Sequence, residues 1–192
     1  LLGEALSGGY RERVKVVSKI PPGHVNSEED FFRILDEQLE KLQTDHLDVL
    51  LAHNLGKESF AHLKKINMVS MMEKAKAQGK IKAIACSFHD DFDTYKEVID
   101  YYPWDMSQIQ MNILDVNNQA TVEGMKYAAG KGIAFFHIAF GCIVERFDDT
   151  IRTFGIVARF DAMERAGAGF LLPLGHIPDE LPVESASGHL FH

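Results

Sequence analysis

Five stretches of this sequence carry, at or near their ends, side chains that could bond an oxygen or move a proton. "VKVVSKI" (14–20) carries Lys19, and "HLDVLLAHN" (46–54) closes on His53. "IKAIACSFH" (81–89) carries Ser87 and His89, "MSQIQMN" (106–112) carries Gln108, Gln110 and Asn112, and "IAFFHI" (133–138) carries His137. An ammonium, an imidazole, a hydroxyl and amides are the donors that steady an oxygen on which negative charge develops. Imidazole is also the common general acid or base near neutral pH. Taken singly, each residue has a structural reading: a strand-end lysine reaches water, and a buried amide bonds a neighbour. Repetition over five successive apolar runs is what points to one shared site.

The segments between these runs have helical spacing. In "SEEDFFRILDEQLEKLQT" (27–44) the apolar positions are Phe31, Ile34, Leu35, Leu39 and Leu42, with Ser27 as N-cap and Asp30 three positions on. One long helix is expected over 59–78, stopping at Gly79; others over 91–102, closed by Pro103, and 120–132, with a glycine stop. Strands alternating with helices, without hairpin turn signals, call for a parallel sheet with crossover helices. Each unit takes about 30 residues, and eight such units give the usual size of a (β/α)8 TIM barrel. A doubly wound sheet would usually announce itself by a G-x-G-x-x-G or P-loop turn, and neither occurs. The expectation is therefore a partial barrel, about strands 3 to 7 with their helices.

In that fold the chemistry gathers at the C-terminal ends of the strands. Alternation puts Val17 with Lys19, and Leu47, Val49 and Leu51 with His53. Likewise Ala83, Ala85 and Ser87 fall with His89, and Met106, Gln108 and Gln110 with Asn112. These are the expected inward faces, with polar groups at the mouth over an apolar floor.

Composition narrows the class. The chain has 192 residues, 46% hydrophobic and 25% charged, enough for one sizeable core. A net charge of -8 argues against a nucleic-acid surface. Two cysteines, Cys86 and Cys142, give neither a disulfide framework nor a metal-ligand spacing and fit a reducing, cytoplasmic setting. No apolar run reaches the roughly 20 residues of a membrane helix. The opening "LLGEAL" already reads as helix, so a preceding segment is expected.

"LLGEALSGGYRERVKVVSKI", "LDEQLEKLQTDHLDVLLAHN", "EKAKAQGKIKAIACSFHDD" and "WDMSQIQMNILDVNNQATVEGMKYAAGKGI" resemble the aldo-keto reductase family, most closely its bacterial oxidoreductase branch. The resemblance implies a (β/α)8 barrel that binds NADP(H) or NAD(H) and reduces small-molecule carbonyls to alcohols. It implies that Lys19 and His53 are the family's catalytic lysine and histidine. It also implies that Ser87 and Gln108 hold the nicotinamide carboxamide. The asparagine that commonly follows the serine is absent: Phe88 stands there, and His89 is the expected substitute. The family's aspartate and tyrosine belong on and after the second barrel strand, upstream of Leu1.

The resemblance covers 1–138 as a partial barrel and leaves 139–192 as a divergent C-terminal segment, with an amphipathic helix expected over 145–166. No cysteine-rich iron–sulfur tail is expected. An incomplete barrel would leave two open sheet edges, so an impaired, association-prone chain is expected. Two other functions fit the residues. One is a nicotinamide-binding or regulatory module without turnover. The other is a metal-dependent barrel hydrolase using His53, His89 and His137, with Lys19 carbamylated; the aldo-keto reading assigns no metal.

Overall fold

The computed structural model describes residues 2–110, 117–138 and 170–173, with 135–138 and 170–173 as backbone only. The helix expected over 145–166 and Asn112 lie outside these residues. The elements in order are α1 (Leu2–Ala5), β1 (Val14–Ile20), α2 (Glu28–Leu42), β2 (Leu47–Leu55), α3 (Lys57–Lys65) and α4 (Met68–Ala77). They continue with β3 (Ile81–Phe88), α5 (Phe92–Tyr101), β4 (Met106–Gln110), α6 (Thr121–Gly130), β5 (Ala134–Ile138) and β6 (Phe170–Pro173).

β1 to β5 are parallel neighbours in chain order. The sheet is curled and the helices lie on its outside, which makes it part of a (β/α)8 barrel. The outer core packs Val16, Ile20, Leu50, Ile84, Phe88 and Ile109 against the apolar faces of the helices. α2 contributes Phe31, Leu35, Leu39 and Leu42 to it. Its Ser27 cap accepts from the Asp30 amide at 3.2 Å, as the sequence spacing predicts. A second, smaller apolar cluster, Val17, Leu51 and Ala85 with Val49 and Met106 against it, sits on the concave face. This is the expected floor.

Three expectations change. The helix expected over 59–78 is two helices, because Asn67 takes a left-handed φ of 54° between them. Asparagine is among the residues that tolerate this conformation. Leu47, expected inward, belongs to the outer core. It pairs with Ile81 of β3, and the β1 pairing begins only at Val49. Finally, the sheet is not purely parallel: β6 lies antiparallel on β1, from Val14↔Pro173 to Val17↔Phe170. The β1 edge, expected to be open, is paired.

At the end of the sheet away from His53, Asp48 anchors β2 to β1. It is buried and accepts from the Val16 amide at 2.9 Å. Arg11, Lys15 and Lys82 surround it at 3.0, 3.2 and 3.5 Å. Burial opposes the charge of Asp48, but the Val16 amide and the Lys15 and Arg11 cations outweigh it and hold the carboxyl below its ordinary range.

Candidate active site at the strand ends

The register aligns the predicted residues in rows across the concave face. Lys19 stands opposite Leu51, Leu51 opposite Ala85, and Ala85 opposite Met106. One step higher, Ser87 stands opposite Gln108, and Gln108 opposite Phe136. His53 is on the Leu51 face, at the upper end of β2. Lys19, His53, Ser87 and Gln108 are therefore brought to one end of adjacent strands. His89 follows at the end of β3, its amide donating to the Leu55 carbonyl at 2.9 Å. His137 pairs with Ile109, one place out of the Ser87–Gln108 row, and its side chain lies outside the described residues.

An irregularity in β2 positions His53. Ala52 pairs with Cys86 and Leu55 with Phe88, so three steps along β2 match two along β3. The extra residue is a β-bulge, with Asn54 at φ 55°. The Asn54 amide donates to Ser87 Oγ at 2.8 Å, which fixes the hydroxyl and leaves its proton to be donated. The bulge also reverses the alternation beyond it. Leu55, which would otherwise share the face of His53, is buried in the outer core with Phe88. Sequence reasoning missed the bulge; its one signal was an asparagine directly after the histidine.

The imidazole of His53 is half-buried. Its pKa is pushed down to about 4, first by burial and then by the neighbouring charges of Lys19, His89 and His24. At neutral pH it is an uncharged ring that can donate one hydrogen bond. His24, on the loop after β1, is the weakest of these influences, and the sequence reading did not single it out.

Gln108 and Ser87 face a cofactor test. Both are buried, Gln108 at 3% exposure and Ser87 at 0%. Among the described residues the Gln108 Oε1 atom has no hydrogen-bond partner. A buried, unpaired amide oxygen is costly unless a ligand donor meets it. The NH2 of a carboxamide would supply that donor, and the Ser87 hydroxyl could donate to the carboxamide oxygen. The residues present therefore fit a nicotinamide ring. Gln110, beyond Gln108 on β4, accepts from Gln119 Nε2 at 3.4 Å. Among the described residues no three His, Cys, Asp or Glu side chains gather as metal ligands. Nor is any helix among them long and apolar enough to cross a membrane.

Comparison with known proteins agrees with this fold. The thermostable aldo-keto reductase Tm1743, solved in complex with the inhibitor epalrestat, is 26% identical, with a TM-score of 0.55 over 70% of this chain and 47% of its own. An aldo-keto reductase from Klebsiella pneumoniae in complex with NADPH is 24% identical, with a TM-score of 0.55 over 70% of this chain and 45% of its own. One from Bombyx mori in complex with NADP is 20% identical, with a TM-score of 0.53 over 72% of this chain and 47% of its own. The chain spans about half the length of these solved structures. No curated protein matches it. The sequence model of the Aldo/keto reductase family matches residues 1–152, beyond the end of β5. With its strands in barrel order and its polar groups at their ends, the chain belongs to the aldo/keto reductase family.

Proposed function

We propose that the strand ends form a nicotinamide site of an NAD(P)H-dependent carbonyl reductase, with small aldehydes or ketones as substrates. The observation that carries this reading is the buried Gln108 Oε1, unpartnered among the described residues, opposite Ser87. When bound, the reduced nicotinamide would supply the hydride. Ser87 and Gln108 would hold its carboxamide and so fix which ring face meets the substrate. His53, uncharged, would donate to the carbonyl oxygen as charge develops there. Lys19 would add a positive charge that favours an anion at the same oxygen. His89 would line the cofactor side of the mouth.

The relatives solved with NADPH and NADP favour the phosphorylated cofactor. Residues 1–138 would be the cofactor-binding barrel unit, to which the C-terminal segment 139–192 adds the β6 strand. A cytoplasmic setting fits the two cysteines and the acidic balance. A second reading, cofactor binding without turnover, uses the same Ser87–Gln108 pair.

NADPH fluorescence titration tests the shared part of both readings, and turnover of a simple aldehyde then separates them. Gln108→Leu should weaken NADPH binding about fivefold, the value of one hydrogen bond of ~1 kcal/mol. The same change removes an unpaired buried acceptor, so the melting temperature should hold or rise. A wild-type chain that leaves NADPH fluorescence unchanged overturns the reading.

A further inference from the structure

We propose that Ser59, in the first turn of α3, is a positioning residue of this site. Through the backbone of Asn54 it sets where the Ser87 hydroxyl stands, and so how tightly a nicotinamide ring is held. This rests on the nicotinamide reading of Ser87 and Gln108. A series of hydrogen bonds runs from the helix to the site. The Gly56 amide donates to Ser59 Oγ at 2.9 Å. Ser59 Oγ donates to the Asn54 carbonyl at 2.9 Å, and the Gly56 carbonyl, at 3.3 Å, is the more distant acceptor. The Asn54 amide in turn donates to Ser87 Oγ at 2.8 Å. A hydroxyl has one proton to give. Ser59 gives its proton to Asn54, and in the proposed reading Ser87 gives its own to the carboxamide.

Asn54 is the step in this path that needs support. It is the exposed residue at the β2 bulge, at φ 55°, a conformation few residues other than glycine adopt. The extra residue of a bulge falls out of the regular ladder. Its position then depends on whatever bonds its two backbone groups. Ser87 bonds the Asn54 amide, and Ser59 bonds the Asn54 carbonyl.

The support is itself fixed from two sides. Buried Phe60 and Leu63 anchor α3, and the Phe60 amide donates to the Gly56 carbonyl at 2.8 Å. On the β3 side the His89 amide donates to the Leu55 carbonyl at 2.9 Å. Asp90 accepts from the Lys57 amide at 2.9 Å and from the Asp91 amide at 2.8 Å. A Cβ on Gly56 would stand 2.9 Å from Asp90 Oδ2, so the turn after β2 lies directly against the loop after β3. Ser59 reaches from this braced helix start into the bulge. A plain helix cap would also use Ser59, because its oxygen takes the Gly56 amide. The proton separates the two roles: capping needs only an acceptor, whereas holding Asn54 needs a donor.

A matched pair of ligands tests this, with the full chain. NADPH and 2′-phospho-ADP-ribose share the adenosine and the phosphates, and only NADPH carries the ring. Their affinities are measured calorimetrically, and the preference for NADPH is the readout. Ser59→Ala should cut that preference roughly two- to fivefold, the range of one hydrogen bond, with the affinity for 2′-phospho-ADP-ribose unchanged. Ser59→Asp keeps an acceptor for the Gly56 amide but has no proton to give at neutral pH. It should lose the preference as far as Ser59→Ala does, with a melting temperature closer to that of the wild type. Ser59→Thr keeps the hydroxyl and should keep the preference. A wild-type preference that survives in Ser59→Ala or in Ser59→Asp overturns the proposal. So does an equal weakening of both ligands in Ser59→Ala, which would leave Ser59 as a helix cap alone. Failure of the nicotinamide reading shows in the wild type by itself: NADPH would not bind, or would bind no tighter than 2′-phospho-ADP-ribose, and this proposal would fall with it.

Discussion

His53 decides how this site responds to acid. In an unfolded chain its imidazole ionises near 6.5. In the folded chain burial, with Lys19, His89 and His24 nearby, brings that down to about 4. Between those values the unfolded chain holds more protons, so this group's contribution to stability is full above about 6.5 and falls as pH drops toward 4. His53→Gln keeps a donor but removes the ionisation. Urea midpoints at pH 7.5 and pH 5 should therefore lie closer together in His53→Gln than in the wild type; an equal gap would show that His53 is not held neutral by the fold. Other thiols and hydroxyls of the core do not compete for such chemistry. Burial pushes the Cys86 thiol up to about 12, so it stays protonated. Tyr95, also raised by burial, donates to Ser107 Oγ at 2.9 Å on the helix side of the sheet.

The helices hold the strand ends in place by close packing, and α5 against α6 shows how close. A Cβ on Gly124 would come within 2.9 Å of the Tyr95 ring and 3.1 Å of the Ala120 side chain. Alanine is the better helix former by about 1 kcal/mol. Overpacking of a fixed ring costs about 1–3 kcal/mol. Tyr95 is fully buried and bonded to Ser107, so it cannot swing away. Gly124→Ala should therefore lower the chemical-denaturation midpoint despite the gain in propensity; a raised midpoint would mean that α6 can slide. At this scale much was legible in the sequence. β-branched runs and 3.6-residue spacing located the five parallel strands and the cap at Ser27, because both signals are local. The break at Asn67 and the bulge at Asn54 were not legible. Each is set by one residue entering a left-handed conformation, and the periodicity on either side is undisturbed by it. Lys19, His53, Ser87 and Gln108 could be proposed from the sequence because they fall at or near the ends of strand-like runs. His24 sits in a loop without a period.

For the molecule as a whole the sheet edge beside β1 matters most. Among the described residues the curled sheet is open, and an open sheet edge presents unpaired backbone that invites association. Here β6 covers the β1 side with four residues, ending in Pro173, a short and proline-bearing strand of the kind that blunts an edge. A chain ending at Ile138 would lose this cover. Light scattering should then show association that rises with concentration more steeply than for the full chain, and equal behaviour would show that β6 guards nothing. The inserted residue in β2 has a different reach. Asn54 works as a switch of parity: with it, the mouth presents imidazole and the core receives isobutyl; without it, Leu55 would swing into the opening where a polar ligand must enter. Whether this half-barrel is a binding site or a plugged one is thus decided by whether β2 holds one residue more than its neighbour.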